Sequence, residues 1–173
     1  MEIDFEKRND EVVYTFDKIP TSMEDLADVD QYLDEPSFAP ALFLMIMCNY
    51  ENNSELCMKM LDVINGPKEV SGLDKSFYKD RFMDGKYYKP FSYIDGATPD
   101  NNYVPKTPYV IHVYNDPNGP QEENYKSFLL QSSGSDSKRK AFVRIKPSVG
   151  LWYLTEEMLL SDIKEPVKDD AWA

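Results

Sequence analysis

Residues 109–155 read YVIHVYNDPNGPQEENYKSFLLQSSGSDSKRKAFVRIKPSVGLWYLT, and this stretch decides the fold. It contains four runs rich in β-branched and aromatic residues, at 109–114, 125–131, 141–146 and 151–155. The segments between the runs contain proline, glycine, asparagine or serine, which are the residues that turns favour. Consecutive strands joined by such turns predict an antiparallel meander of about four strands.

The sequence before this stretch has helical patterns instead. Residues 41–49 are apolar nearly all round, as in a fully buried helix. Residues 52–64 and 71–82 begin with capping patterns and repeat apolar residues at helical spacing. A capping pattern at Thr21 predicts a modest amphipathic helix over residues 21–33. Two weaker predictions are a short β-prone run at 11–16 and a helical turn at 156–160.

Helices followed by strands are typical of the α+β class. We therefore expect helices packed on a C-terminal antiparallel β-meander, and this element order is compatible with an NTF2-like or cystatin-like cone. A chain of 173 residues fits a single domain over 1–173. Its parts are an acidic N-terminal region (1–36), a helical region (37–85), a mainly β region (86–155) and a tail expected to dock on the body (156–173).

Composition limits the class of protein. The aromatic share of 13% argues against a disordered chain. Cys48 and Cys57 are the two cysteines, both within apolar sequence, which is typical of buried free thiols rather than of a secreted disulfide scaffold. The first residues lack a signal-peptide pattern, and the longest apolar run is half the length of a membrane span. We expect a cytoplasmic protein that does not bind membranes.

The charge is strongly negative and uneven. The net charge is -12, whereas nucleic-acid binders usually carry an excess of lysine and arginine, so no nucleic-acid partner is expected. Residues 1–35 contain twelve acidic residues against three basic ones, while residues 138–146 contain five basic residues and no acidic one. This pattern is typical of a solvated acidic face with a basic hairpin. It also fits an acidic surface that binds a partner protein with a basic surface.

His112 is the single histidine, and it lies in the middle of a predicted strand. Histidine is the usual general base near neutral pH, so any hydrolase arrangement with a histidine would need this residue. A lone histidine in a strand is more often structural or exposed to solvent. No metal-ligand spacing and no nucleotide-binding glycine loop occurs, so neither a metal nor a cofactor is predicted.

The segment 132–140 is the most distinctive local feature. Its small residues leave backbone amides accessible, its hydroxyls can donate, and three basic residues follow, so it could hold a phosphate or carboxylate. An exposed flexible hairpin would have the same composition. The candidate ligand-binding residues are Ser133, Ser135, Ser137, Lys138, Arg139 and Arg144.

Two tryptophans near the end of the sequence are candidate partner-binding residues. Trp152 lies in the last predicted strand, and Trp172 lies in the segment Asp169-Asp-Ala-Trp-Ala173. We expect Trp172 to fill a groove on the chain's own body. The alternative is that its side chain is offered to a partner.

The residues from 132 to 173 resemble a bacterial domain family of unknown function. The shared features are a Ser-Gly-x-Asp-Ser loop, a Trp-x-Leu strand, a Leu-Leu-x-Asp-Ile stretch and a final Asp-Pro-Trp-Ala. The corresponding segments here are 133–137, 152–154, 159–163 and 170–173, with alanine in place of the proline. Such a resemblance implies a shared fold unit and brings no activity with it.

Three functions follow from these observations. The acid-rich start and the lack of a catalytic constellation favour a non-enzymatic, protein-binding module, in its sharper form an inhibitor or immunity-type protein. The second function is an NTF2-like small-ligand pocket walled by Tyr109, Tyr114, Tyr125, Phe128, Phe142 and Tyr153. The third is an enzyme that uses His112 beside nearby acids or tyrosines.

Overall fold

A computed structural model describes residues 1–173, and its centre is one antiparallel sheet. The six strands lie side by side in chain order, β1-β2-β3-β4-β5-β6. Every neighbouring pair is antiparallel, so the sheet is an uninterrupted meander. The strands are β1 (Ile3–Lys7), β2 (Glu11–Phe16), β3 (Tyr109–Asn115), β4 (Tyr125–Leu130), β5 (Arg139–Lys146) and β6 (Leu151–Glu157).

Three α-helices connect the second and third strands. They are α1 (Phe38–Met47), α2 (Ser54–Asn65) and α3 (Gly72–Arg81). Asn53 caps α2, because its side chain accepts a hydrogen bond from the backbone N–H of Leu56, and Ser71 with Asp74 forms a capping box on α3. Short 3-10 turns lie at Met23–Leu26, Val29–Tyr32, Met83–Gly85, Pro90–Tyr93, Pro99–Asn101 and Val167–Asp169. None of these helices is long and apolar enough to cross a bilayer.

The α+β class and the meander are confirmed, but the predicted element list was incomplete. The sheet has six strands rather than four, because β1 and β2 precede the helices and β2 pairs with β3. The amphipathic helix predicted over 21–33 is wrong, since that segment folds into two separate 3-10 turns. The helical turn predicted at 156–160 is also wrong at its start, because β6 continues through Glu157.

The core forms around α1. All ten residues of α1 are buried, as its apolar composition on every side requires. Aromatic rings of β2 pack against its first turn, with the Tyr14 and Phe38 centroids 5.5 Å apart. The Tyr14 hydroxyl, which is fully buried, hydrogen bonds with Ser37 Oγ at 2.6 Å, so its polar group is satisfied. These contacts belong to a continuous cluster of 38 buried hydrophobic residues.

The middle of β3 borders a loop rather than a strand on one side. β3 pairs with β4 only at Tyr114 and Asn115, where the register of the two strands begins. Farther along this edge, Ile94 forms an isolated bridge with Ile111, and the Asp95 N–H donates to the Val110 carbonyl at 3.0 Å. This bridge brings the carboxylate of Asp95 beside the outer face of β3.

The segment after β6 is held to the body by hydroxyl groups. Tyr93 donates to the carbonyl of Leu159 at 2.6 Å, and Tyr103 donates to that of Lys164 at the same distance. The side chains of Leu159, Leu160 and Ile163 are buried at the same place. Residues 159–164 are therefore part of the packed structure, and we refer to them as the clasped segment.

Candidate functional site

The acidic residues of 1–35 lie on the β1–β2 hairpin and on the turns that follow it, and we call this part of the molecule the acidic end. The Val29–Tyr32 turn lies against β1, because the Tyr32 hydroxyl donates to the Ile3 carbonyl and Lys7 pairs with Glu35 at 2.6 Å. Four of the twelve carboxylates form ion pairs with lysine, arginine or histidine. The other eight are exposed and have no cationic partner: Glu2, Asp4, Asp10, Asp17, Glu24, Asp28, Asp30 and Asp34.

β1 is an edge of the sheet, and its outward-facing backbone groups can be assigned. Backbone hydrogen bonds join Arg8 N–H to Glu11 and Asp17 N–H to Glu2, so these residues are hydrogen-bonded pairs of the β1–β2 ladder. Hydrogen-bonded and non-hydrogen-bonded pairs alternate in an antiparallel ladder. The backbone groups of the intervening Ile3, Phe5 and Lys7 therefore point away from β2, toward the free edge.

His112 lies between two carboxylates on the outer face of the sheet. Its Nδ1 is 2.9 Å from Glu11 Oε2, and its Nε2 is 3.0 Å from Asp95 Oδ2. Glu11 also accepts from Arg8 at 3.2 Å, and the ring of Tyr114 stacks on the imidazole at 6.3 Å between centroids. The imidazole thus connects β2, β3 and the loop that carries Asp95.

These contacts determine the charge of the imidazole. Burial of the ring lowers the pKa of His112, but the hydrogen bonds to Asp95 and Glu11 outweigh burial and the net pKa is raised. For Glu11, burial acts to raise the pKa, but the hydrogen bond from His112 outweighs it and the net pKa is lowered. Glu11 and Asp95 engage both ring nitrogens, so neither nitrogen is free to take a proton from a substrate. The geometry favours a structural ion-pair bridge.

Residues 132–137, which we call the serine-rich loop, form many internal hydrogen bonds. Ser132 is buried and its hydroxyl donates to Ser92 at 2.7 Å, while the Ser135 hydroxyl donates to the Ser137 carbonyl at 3.1 Å. Arg139 donates from Nη1 to Ser137, from Nε to the Ser161 carbonyl and from Nη2 to the Asp162 carbonyl. The loop and the clasped segment, which are two of the resemblance motifs, are thus in direct contact.

The remaining predicted ligand residues are not gathered into one site. The ammonium group of Lys138 lies 4.4 Å from the centre of the Tyr114 ring, and Ser133 is exposed. Arg144 lies farther along β5, where its guanidinium stacks over Tyr125 at 5.1 Å. An anion at the serine-rich loop would compete with the internal hydrogen bonds of Arg139, so the anion site remains a prediction.

The two tryptophans have opposite environments. Trp152 is 8% exposed on the core side of β6, and its backbone N–H donates to the Leu33 carbonyl at 2.7 Å. This burial does not favour a partner-binding role for its ring. Trp172 is 96% exposed, so the expectation that its side chain fills a groove on the body is wrong. The ring of Trp172 is open to solvent.

An open cleft of about 640 Å³ lies between α3 and the end of β6, and we call it the α3 cleft. Its apolar surface comes from Phe77, Tyr78, Leu154, Met158 and Leu160. Its charged groups are Lys68, Glu69, Asp74, Arg81, Arg144, Glu156 and Glu157. None of the six aromatic residues predicted to wall a pocket lines this cleft.

Glu157 is the carboxyl group of the α3 cleft whose pKa is most perturbed. It is half-buried, and one of its carboxylate oxygens accepts a hydrogen bond from the Leu159 N–H at 2.6 Å. Burial raises the pKa of Glu157 to about 7. The sequence offered no signal for this residue, because the groups that face it, Tyr78 and Arg81, lie on α3, which is distant in the sequence.

Fold and sites together define an α+β protein with a six-stranded meander around a buried helix, an acidic sheet edge and an open cleft. A model of a protein family matches residues 18–167, and the chain belongs to that family, which is described as a domain of unknown function (DUF6935). The match begins after β2, so the β1–β2 hairpin precedes the matched range. No curated protein and no solved structure matches the chain.

Proposed function

We propose that this protein is a non-enzymatic binding module whose acidic end holds a partner protein with a basic surface. The observation that carries the proposal is the set of eight exposed carboxylates without a cationic partner at that end. Like charges held together on a fold repel each other, and a cationic partner relieves this repulsion. Such a surface also steers a basic partner into contact and rejects acidic ones.

The free edge of β1 supports a specific mode of contact. Phe5 and Lys7 direct backbone groups outward, and the Phe5 side chain is 43% exposed. Asp4 and Glu6 alternate with them and are exposed. An extended basic segment of the partner can add a strand here, with backbone hydrogen bonds for affinity and carboxylates for selectivity. A module that covers a basic surface in this way would act as an inhibitor or immunity-type protein.

The basic residues of β5 do not neutralise this surface. Lys140 pairs at 3.0 Å with Asp116, which is almost fully buried, and Arg139 is engaged by the serine-rich loop and the clasped segment. Two of the four cations of β5 are therefore committed to internal contacts. Most of the net charge of -12 comes from the acidic end, because residues 1–35 contain twelve acidic residues and three basic ones.

The experiment compares two variants with the same charge. The test variant carries Asp4→Asn, Glu24→Gln, Asp30→Asn and Asp34→Asn, all at exposed, unpaired positions of the acidic end. The matched control carries Glu51→Gln, Glu122→Gln, Glu123→Gln and Glu165→Gln, which are exposed elsewhere. Wild type and each variant are immobilised and used to capture proteins from native lysate with and without about 0.5 M salt. Salt at this concentration reduces the range of the attraction between exposed charges to a few ångströms.

We expect a basic protein that wild type and control retain at low salt and release at high salt, and that the test variant fails to retain. Equal retention by the test and control variants, or retention that salt does not affect, would contradict the proposal. Trp172 is a second element available to a partner, because its ring is exposed. Trp172→Ala in the same assay reports whether it contributes.

Binding of a small ligand in an NTF2-like manner is the second candidate, and the α3 cleft is the observation that favours it. Clefts that hold small molecules usually have volumes of about 300–1,000 Å³. Catalysis by His112 is less well supported, because Glu11 and Asp95 occupy both nitrogens of its ring.

A further inference from the structure

The α3 cleft has an apolar wall because α3 packs loosely on the body. None of the ten residues of α3 is buried, although the helix carries two aromatic rings. Tyr78 makes the inner contact, with its ring 6.0 Å from that of Phe43 in α1. Phe77 is 40% exposed and Met158, at the opposite rim, is 45% exposed. An apolar body placed between them would bury surface that the fold itself leaves in water.

Two arginines that line the cleft have guanidinium groups with unused hydrogen-bond donors. Arg81 stacks on Phe77 at 4.5 Å, and its closest carboxylate is that of Asp80 at 3.9 Å, beyond hydrogen-bond distance. Arg144 stacks on Tyr125 and has no ion pair. Neither guanidinium donates to a protein acceptor, in contrast to Arg139. Stacked guanidiniums with free donor edges are well suited to bind a carboxylate through two parallel hydrogen bonds.

The acidic residues of the cleft restrict the charge of the ligand. Asp74 is occupied by the N–H and hydroxyl of Ser71, while Glu69 and Glu156 are exposed. Because acidic and basic residues share the cleft, a singly charged carboxylate fits better than a phosphate dianion.

Glu157 makes the charge of the cleft depend on pH. The charged or titratable groups that face it are Tyr78 and Arg81 from α3, Tyr93 from the 3-10 turn at Pro90–Tyr93, and Glu156 from its own strand. Protonation of Glu157 below about pH 7 removes a negative charge near Arg81. An anion in the cleft is then less repelled.

We propose that the α3 cleft is a binding site for a small organic carboxylate with an apolar body. Arg81 and Arg144 hold the carboxylate, and Phe77, Tyr78 and Met158 contact the apolar body. This site lies on α3, β5 and β6, and it is independent of the binding of a protein at the acidic end.

The test is a titration of the whole chain with three probes: N-acetyl-L-phenylalanine, phenylacetate and octanoate. Amide chemical shifts and calorimetry monitor the binding. Saturable binding of at least one probe at about pH 6 is expected, with shifts concentrated at residues 77–81 and 154–161. Arg81→Gln and Arg144→Gln should each weaken binding about tenfold or more, the value of a lost charged hydrogen bond. Lys106→Gln, an exposed cation outside the cleft, is the matched control and should change nothing.

Two further comparisons separate a real site from weak surface association. Phenethylamine, which has the apolar body and the opposite charge, should bind much more weakly than phenylacetate. Affinity for the carboxylate should fall between about pH 6 and about pH 8 in the wild type and stay flat in Glu157→Gln. The proposal is overturned if no carboxylate saturates below about 10 mM. Equal losses in the arginine variants and in Lys106→Gln would overturn it too.

Discussion

Nδ1 of His112 lies 2.9 Å from Oε2 of Glu11, which joins β3 to the first residue of β2 on the outer face of the sheet. Glu11 and His112 are 101 positions apart in the sequence, so the contact exists only because β2 and β3 are neighbours. Asp95 completes the bridge from the loop side. The charge of one imidazole therefore bears on how β2 and the Asp95 loop are held to β3.

His112→Gln should flatten the dependence of stability on pH above about 6.5. The pKa of His112 is raised in the folded state, so its contribution is fully present below the unfolded value of about 6.5 and is lost as pH rises through the folded value. Urea unfolding at several pH values measures the effect. The same slope for wild type and His112→Gln above about pH 6.5 would show that the bridge carries no net stabilisation.

Glu157→Gln should stabilise the protein at alkaline pH. A carboxyl whose pKa is raised from 4.5 to about 7 favours the fold when neutral, so the wild type loses stability as pH rises from 4.5 to about 7. The amide keeps an oxygen for the Leu159 N–H and cannot ionise. We expect a gain of about 1–3 kcal/mol near pH 8 and little change near pH 4. Glu156→Gln, at an exposed position, serves as the control and should show no such gain.

Proline scanning of β1 tests the assignment of its outward groups. Lys7→Pro removes an N–H that faces the free edge, together with the ion pair between Lys7 and the largely buried Glu35 carboxylate, and should lower the melting temperature less than Glu6→Pro does. Glu6→Pro removes an N–H that bonds to β2 and should cost about 3 kcal/mol. If Lys7→Pro lowered the melting temperature more than Glu6→Pro, the assignment would be reversed: Lys7 would bond to β2 and Glu6 would face the free edge.

Tyr93→Phe should weaken the attachment of the clasped segment. The variant keeps the ring but removes the hydroxyl, so the buried carbonyl of Leu159 loses its partner at a cost of about 1–3 kcal/mol. Tyr125→Phe is the control, because the Tyr125 hydroxyl has no hydrogen-bond partner in the protein. Chemical denaturation provides the comparison. Equal losses in the two variants would assign the effect to the ring rather than to the hydroxyl.

Much of the meander could be predicted from the sequence, because its four later strands contain β-branched and aromatic residues between recognisable turns. β1 was missed because only Ile3 and Phe5 of its five residues are large and apolar, and an edge strand needs apolar residues on one face alone. Residues 21–33 carry a true capping signal at Ser22, but their apolar residues are too few to hold more than single turns.

The candidate sites were less accessible to prediction. The three members of the His112 bridge come from separate parts of the sequence, and Asp95 reaches the ring only through the isolated bridge of Ile94 with Ile111. The α3 cleft depends on a gap between a helix and a strand, and a gap has no sequence pattern. The excess of acidic residues in 1–35 could be counted in the sequence. Their position beside the free edge of β1 could not be predicted from it.

Hydrogen exchange of the captured complex locates the surface that the partner covers. With the basic partner bound at low salt, we expect protection of the outward amides of Phe5 and Lys7 and of the turns at Met23–Leu26 and Val29–Tyr32. The amides of α3 should exchange as in the free protein. Protection confined to α3, to the serine-rich loop or to the segment that carries Trp172 would contradict the assignment of partner binding to the acidic end.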